Sequence, residues 1–169
     1  MDHNYECRQE NIYLRPLRHS DIEYLRTWRN NPDNTIYLNQ IPYITEEMQE
    51  KWFARYLEDK DELTFAIVED HVLQRIVGSL SLCNIEDDSI EVGKIMVGDP
   101  AAHGMKVGAN ATNAAARIAK EQLGKSIIYL HVFENNIAGV KAYRDAGFKE
   151  VEKHVDEKGR TELTMRFSC

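Results

Sequence analysis

The sequence predicts a mixed α/β fold (α+β in arrangement), a mostly antiparallel central sheet flanked by helices, in a single domain over residues 1–169. Three observations carry this. Two segments of helical periodicity come early in the chain, three strand-like segments then follow one another across short turns, and a long alanine-rich helical pattern separates them from a last group of strands. Short connections make neighbouring strands antiparallel, and helices with one apolar stripe bury it on a sheet face. The expected order is β-α-α-β-β-β-α-β-α-β-β.

Ile12, Leu14 and Leu17, within NIYLRPLR, predict a first strand ending in a turn. Ser20-Asp21-Ile22-Glu23 has the form of a capping box and opens a helix through about Arg29. Asn30, Asn31 and Pro32 stop it, since proline has no N–H to give and disfavours helical backbone before it. Thr45-Glu46-Glu47 is a second N-cap signal, and Met48, Trp52, Phe53, Tyr56 and Leu57 recur at helical spacing to about Glu58.

The period then falls to two. Leu63 to Glu69, Arg75 to Ile85 and Ile90 to Val97 predict strands, with turns at Asp70-His71 and Asp87-Asp88-Ser89. A long helix is expected from about Gly104 to Leu123, its apolar face built by Val107, Ala111, Ala114, Ala115, Ile118 and Leu123, with Gly124 as C-cap. Ile127 to Phe133 is the next strand, broken by Glu134, Asn135 and Asn136. Ile137 to Ala146 makes a short helix closed by Gly147, and Phe148 to Val155 with Thr161 to Phe167 makes a final hairpin around Glu157-Lys158-Gly159.

At 43% hydrophobic and 29% charged residues the chain has an ordinary globular composition. Its net charge of −7 argues against nucleic acid as a partner, because phosphate backbones are met by clustered lysine and arginine. Cys7, Cys83 and Cys169 are odd in number and widely spaced, which is no disulfide framework and fits a reducing cytoplasm. The N-terminus MDHNYECRQE has no signal-peptide core, and no apolar run approaches a membrane span, so no membrane partner is expected. His3, His19, His71, His103, His131 and His154 show no metal-ligand spacing with cysteine, and no metal is expected.

The stretch Ile95 to Ala109, IMVGDPAAHGMKVGA, runs from a strand end through Gly98-Asp99-Pro100 and Gly104 into the long helix. A helix start has unpaired N–H groups and partial positive charge, so this is a phosphate-binding pattern. Two familiar phosphate motifs do not fit. Gly124-Lys125-Ser126 lacks the earlier glycine of a P-loop, Ala119 standing there, and it enters a strand rather than a helix. Gly104 and Gly108 do not form G-x-G-x-x-G, and no acidic residue follows on a second strand.

A better match comes from reading the loop with Asn136-Ile137-Ala138-Gly139-Val140-Lys141-Ala142-Tyr143-Arg144-Asp145-Ala146-Gly147-Phe148. The chain here resembles the GCN5-related N-acetyltransferases (the GNAT superfamily). Their cofactor signature, Arg/Gln-x-x-Gly-x-Gly/Ala, lies over His103 to Gly108, and their second signature is matched by Asn136, Tyr143, Gly147 and Phe148. His103 replaces the usual Arg or Gln, and Lys106 replaces the middle glycine. A side chain at Lys106 is tolerable only where its backbone angles are open to a non-glycine residue. The opening YLRPLRHSDIEYLRTWRNNP resembles the branch of ribosomal-protein N-terminal, polyamine and nucleotide-sugar amine acetyltransferases.

The resemblance implies acetyl-CoA as co-substrate and direct acetyl transfer to a primary amine, whether a protein N-terminus, a polyamine or an amino sugar. Dimers are common in such families, so a homodimer is expected with it. A second reading, a CoA-binding module without transfer activity, rests on His103 and Lys106.

The resemblance also implies roles for residues. Ile95 and Val97 offer backbone groups to the pantetheine arm, and the N–H near Ile95 or Met96 polarises the thioester carbonyl. The pyrophosphate lies at His103, Gly104, Met105, Lys106, Val107, Gly108 and Ala109, with N–H groups from Met105 onward. Asn136 contacts the cofactor's amide spine, caps the helix that follows, or does both. Tyr143 is the candidate general acid for the leaving thiolate; alternatively it packs beside Phe148. Glu91 is the candidate general base, or else a hairpin charge. His131, on one strand face with Tyr129 and Phe133, competes with it, since an imidazole titrates near neutrality; it is otherwise a substrate-binding residue or a packed, satisfied histidine. Trp28 and Arg29 end the first helix, where this branch builds its acceptor pocket. Trp28 lines that pocket or joins the core, and Arg29 meets an anionic part of the acceptor or caps its helix.

Overall fold

A computed structural model describes residues 1–37 and 42–168; Cys169 lies outside this range. Among the described residues one sheet holds β1 (Cys7–Gln9), β2 (Ile12–Pro16), β3 (Glu62–Glu69), β4 (Arg75–Cys83), β5 (Ser89–Val97), β6 (Ile127–Phe133), β7 (Phe148–Val155) and β8 (Thr161–Phe167). Its order is β1-β2-β3-β4-β5-β6-β8-β7. Neighbours are antiparallel except β5 and β6, which are parallel. That pair needs a crossover, supplied by the long helix between them.

The helices are α1 (Ile22–Asn30), α2 (Glu46–Glu58), α3 (Val107–Arg117) and α4 (Ile137–Asp145). They split between two cores. Leu14, Phe65, Leu80, Ile90, Val92, Leu130 and Val132 pack with Val107, Ala111, Ala115 and Val140 of α3 and α4. Leu25, Trp28, Phe53 and Tyr56 of α1 and α2 pack with Ala66, Ile76 and Met96. A large apolar side chain fully buried in either core contributes about 1.5–3 kcal/mol.

The expected order holds, with β1 added before it. This strand is three residues long and pairs with β2 across a turn at Glu10, φ 51°. The start of α1 differs from the capping box read in the sequence. Residues His19–Asp21 form a 3₁₀ turn, and Asp21 rather than Glu23 is the acceptor, taking the Arg18 N–H at 2.8 Å. Asp21 also receives a fork of two bonds from Arg15, at 2.7 and 2.9 Å. Thr45 caps α2 as expected, its hydroxyl oxygen accepting from Met48 N–H at 3.2 Å. The buried face of α2 is narrower than its periodicity suggests: Met48 and Leu57 are exposed.

The third helix begins at Val107, three residues later than expected, because Lys106 stands in the left-handed region at φ 57°. It widens into one π turn over Ile118–Gln122 before Gly124, φ 68°, ends it. The strand β4 stops at Cys83 instead of Ile85, since Asn84 also turns left-handed, φ 48°.

Candidate active site

The strands β5 and β6 pair over Ser89–Ile127, Ile90–Ile128 and Glu91–Tyr129, and then part. From there β6 follows β8, while β5 stays with β4 as far as Val97 opposite Gly78. The register between β4 and β5 slips between Ser79 and Ser81, so that Lys94 and Ile95 stand opposite Leu80 and neither has a ladder partner. Lys94, at φ 53°, is the bulged residue. Gly78 is what lets β5 lie this close: a Cβ there would stand 2.2 Å from the Met96 carbonyl oxygen.

The parting opens a cavity of about 300 Å³. Val92, Gly93, Lys94 and Ile95 line one side, His131, Val132 and Phe133 the other. Asn136 and Tyr143 reach it from the α4 face of the sheet, and Asp33, Asn34, Ile36 and Tyr37 from the connection after α1. The cavity therefore joins the two faces of the sheet through the gap between its strands. A second cavity, about 350 Å³, shares Gly93 and Lys94 with the first and is lined further by Asp59, Asp61, Glu62, Cys83, Asn84 and Glu91.

Ile95, Asn136, His131 and Tyr143 thus meet in one cavity, and Glu91 lies in its neighbour. Asn136 caps α4, its Oδ1 accepting from Gly139 N–H at 3.0 Å. A Cβ at Gly139 would stand 2.5 Å from the Asn136 amide, so a larger residue there would displace the capping side chain. Burial pushes the Tyr143 phenol up to about 12, so it keeps its proton throughout the neutral range. His131 Nδ1 lies 3.2 Å from the Thr164 hydroxyl and 3.9 Å from Glu162. Glu91 accepts a hydrogen bond from the Asn84 amide at 2.5 Å.

Of the residues expected at the pyrophosphate, His103 to Lys106 form a turn and Val107 to Ala109 the first turn of α3. The Met105 N–H, expected to be offered with them, instead donates to the Ala102 carbonyl at 3.2 Å. His103 is exposed after a 3₁₀ turn, Gly104 has φ 82°, and Lys106 is left-handed. Lys106 O accepts from Asn110 N–H at 3.0 Å. The N–H groups of Lys106, Val107, Gly108 and Ala109 make no hydrogen bond of normal length and angle among the described residues. Four free amides at a helix start suit a phosphate-bearing ligand. A Cβ on Gly108 would lie 3.8 Å from Ala142, so this turn adjoins α4 one residue from Tyr143.

The remaining candidates are placed as follows. Met96 is buried against α1 and α2, and Val97 is partly buried on the α3 side. Val107 and Ala109 are buried, Met105 partly so. Trp28 belongs to the α1–α2 core, flat against Gly98, where a Cβ would stand 2.2 Å from its ring. Arg29 is half-buried, and its Nε is buried with no hydrogen-bond partner. The acidic neighbours Asp59, Asp61 and Glu62 were not singled out in the sequence. Asp59 and Asp61 sit in the α2–β3 turn and Glu62 opens β3, and they reach Glu91 only through the strand order β3-β4-β5. Among the described residues no group of His, Cys, Asp and Glu is placed to hold a metal ion, and no helix is long and apolar enough to cross a membrane.

Comparison with known proteins fits this geometry. The acetyltransferase (GNAT) domain family matches residues 11–149. The acetyltransferase PseH of Campylobacter jejuni is 26% identical over 83% of this chain and 84% of its own length. The spermidine N(1)-acetyltransferase of Vibrio cholerae is 26% identical over 86% of the chain and 83% of its own. An uncharacterized Methanocaldococcus jannaschii protein is 26% identical over 88% of the chain, which spans only 31% of that longer protein. Among solved structures, the Vibrio cholerae spermidine N-acetyltransferase in complex with CoA and spermine superposes with a TM-score of 0.81 at 22% identity, over 93% of this chain and 95% of that one. A GNAT acetyltransferase from Bacillus anthracis gives 0.80 at 14% identity, over 96% and 98%.

Fold and cleft define the class as that of acetyl-CoA-dependent N-acetyltransferases. The chain belongs to the acetyltransferase (GNAT) family, and this domain transfers acetyl from acetyl-CoA to a primary amine. The reading as a CoA-binding module without transfer activity gives way to the enzyme.

Proposed function

We propose that the acceptor is a small cationic amine of the polyamine kind, bound in the second cavity and acetylated where that cavity meets the first. The observation that carries this is the lining of the second cavity. Asp59, Asp61, Glu62 and Glu91 supply four carboxylates, against the Lys94 ammonium and the Met1 ammonium held at the Tyr56 and Glu62 carbonyls. A site with excess negative charge attracts an ammonium-bearing substrate and raises its local concentration.

When bound, acetyl-CoA supplies an activated acetyl thioester. In our reading its pyrophosphate meets the free amides of Lys106 to Ala109, and its pantetheine arm runs past Ile95 and Asn136 in the parted strands. The unpaired backbone at Ile95, next to the ladder-paired Met96, supports an N–H aimed at the thioester carbonyl. Glu91 takes a proton from the substrate ammonium, so that the amine attacks neutral. Tyr143 holds the proton that the leaving thiolate requires. His131, with Thr164 and Glu162 behind it, faces the acceptor side of the same cavity.

Arg29, at the end of α1 and outside the lining of both cavities, motivates a second acceptor class. Its guanidinium, half-buried with Nε unpartnered, would suit a carboxylate or phosphate, which a peptide or a nucleotide-linked amino sugar carries, in an acceptor long enough to reach it. Release of CoA thiol is measured with spermidine, a peptide bearing a free N-terminus and a nucleotide-linked amino sugar. Fastest release with spermidine supports the polyamine reading; release with the anionic acceptors alone replaces it with the second.

The reading places the reaction in the cytoplasm, supported by the free thiols of Cys7 and Cys83, with neither nucleic acid nor membrane as partner. It includes a homodimer, supported by the edge strand β7 with Val151 and Val155 turned outward.

A further inference from the structure

We propose that Asn11, on the far edge of the sheet, is a positioning residue that keeps the coenzyme-facing turn before α3 open. It rests on the reading above that this turn receives the pyrophosphate. Asn11 stands between β1 and β2, and its backbone is held there by Asp70 N–H on its carbonyl at 3.0 Å. Its side chain leaves the hairpin and reaches the turn. Nδ2 donates to the Met105 carbonyl at 3.1 Å, and Oδ1 accepts from Asn110 Nδ2 at 2.8 Å. Both halves of the amide are engaged, so a flip would break both bonds.

The Met105 carbonyl is the group on which the geometry turns. In a regular helix begun one turn earlier it would accept from Ala109 N–H, four residues on. Asn11 draws it toward the β1–β2 hairpin, away from the helix axis, and Ala109 N–H makes no normal hydrogen bond to it. A trans peptide also points its C=O and N–H in opposite directions. Fixing the Met105 carbonyl toward the β1–β2 hairpin therefore sends Lys106 N–H away from it.

Asn110 completes the arrangement, since its own N–H holds the Lys106 carbonyl while its side chain holds Asn11. Lys106 is thereby clamped on both sides in a left-handed conformation that costs a non-glycine residue free energy and persists only where its surroundings over-determine it. Releasing Asn11 frees the Met105 carbonyl for Ala109 and lets Lys106 relax into the helix, which withdraws the amides from the ligand.

The test is isothermal titration of CoA and of pantetheine, which lacks all phosphates, against wild type, Asn11→Ala and Asn11→Ala/Lys106→Gly. The expected result is about tenfold weaker CoA binding in Asn11→Ala, a change of roughly 1.4 kcal/mol, with pantetheine binding unchanged. Glycine adopts the left-handed conformation at no steric cost, so the double variant should recover most of the CoA affinity. Equal loss for CoA and pantetheine, or an unaltered CoA preference in Asn11→Ala, overturns the role of Asn11. Wild type that binds both ligands equally overturns instead the reading of the turn as a pyrophosphate site.

Discussion

Glu91 and Tyr129 face each other in the last rung that β5 and β6 share. One residue further the strands separate, so the Glu91 carboxylate, held by Asn84, stands at the closed end of the cleft. The imidazole of His131 stands two residues beyond Tyr129 in the open part.

That placement separates the two candidate bases. Glu91→Gln keeps shape and removes the proton acceptor, and kcat at neutral pH is expected to fall about a hundredfold, the low end for general base catalysis. His131→Asn is expected to change kcat less than about tenfold. Steady-state rates with a saturating amine check both. The opposite ranking would move the base to His131.

Tyr143→Phe removes only a hydroxyl. Because burial holds the phenol near 12, wild type is expected to show no alkaline fall in rate from this residue below pH ~11. The variant is expected to lose about a hundredfold in kcat while its CoA affinity, read by titration, stays within about twofold. Unchanged turnover would leave Tyr143 as a packing residue.

Asp21→Asn tests the structural pair beneath α1. The fork from Arg15 is nearly enclosed, with side-chain exposures of 11% and 5%. Breaking such a pair leaves a buried guanidinium uncompensated, and about 3 kcal/mol of stability is expected to be lost. Urea denaturation measures this as a shift in midpoint at constant slope.

His3 gives stability a defined pH dependence. It is buried beside Phe65 with Nε2 at the Thr64 carbonyl, 3.1 Å away, and burial holds its pKa below the ordinary 6.5. The unfolded chain therefore takes up this proton first as pH falls, and stability declines from about pH 6.5 downward. Thermal unfolding at pH 7.5 and pH 5.5 should show a drop that His3→Gln reduces. An equal drop in the variant would assign it to other groups.

Much of this fold is legible in local pattern. The alternation in Leu63 to Val97 and the helical spacing around Ala111 and Ala115 come from burial on one side of an element, which leaves a period in the sequence. The misses are non-local or depend on single backbone angles. Cys7–Gln9 is too short for any period. Lys106 looks like a helix former, and its left-handed backbone stands between a Met105 carbonyl bonded by Asn11 and its own carbonyl bonded by Asn110, residues almost a hundred positions apart. The bulge at Lys94 and Ile95 exists only relative to Leu80. Asn136 and Tyr143 were readable as motif residues and Ile95 and His131 as strand positions, but the assignment of Glu91 to an adjoining, acid-lined cavity depends on where two strands part.

The short β5–β6 ladder also makes the molecule two half-sheets joined by a hinge of three rungs, since the other six strand boundaries are antiparallel and mostly longer. On the proposed reading, an extended amide-bearing arm laid between those halves replaces the missing rungs and fastens them together. Coenzyme binding then doubles as structural reinforcement. At a hundredfold excess over Kd it adds about 2.7 kcal/mol to the folded state, and its effect on amide exchange should reach β8, which no part of the coenzyme needs to touch.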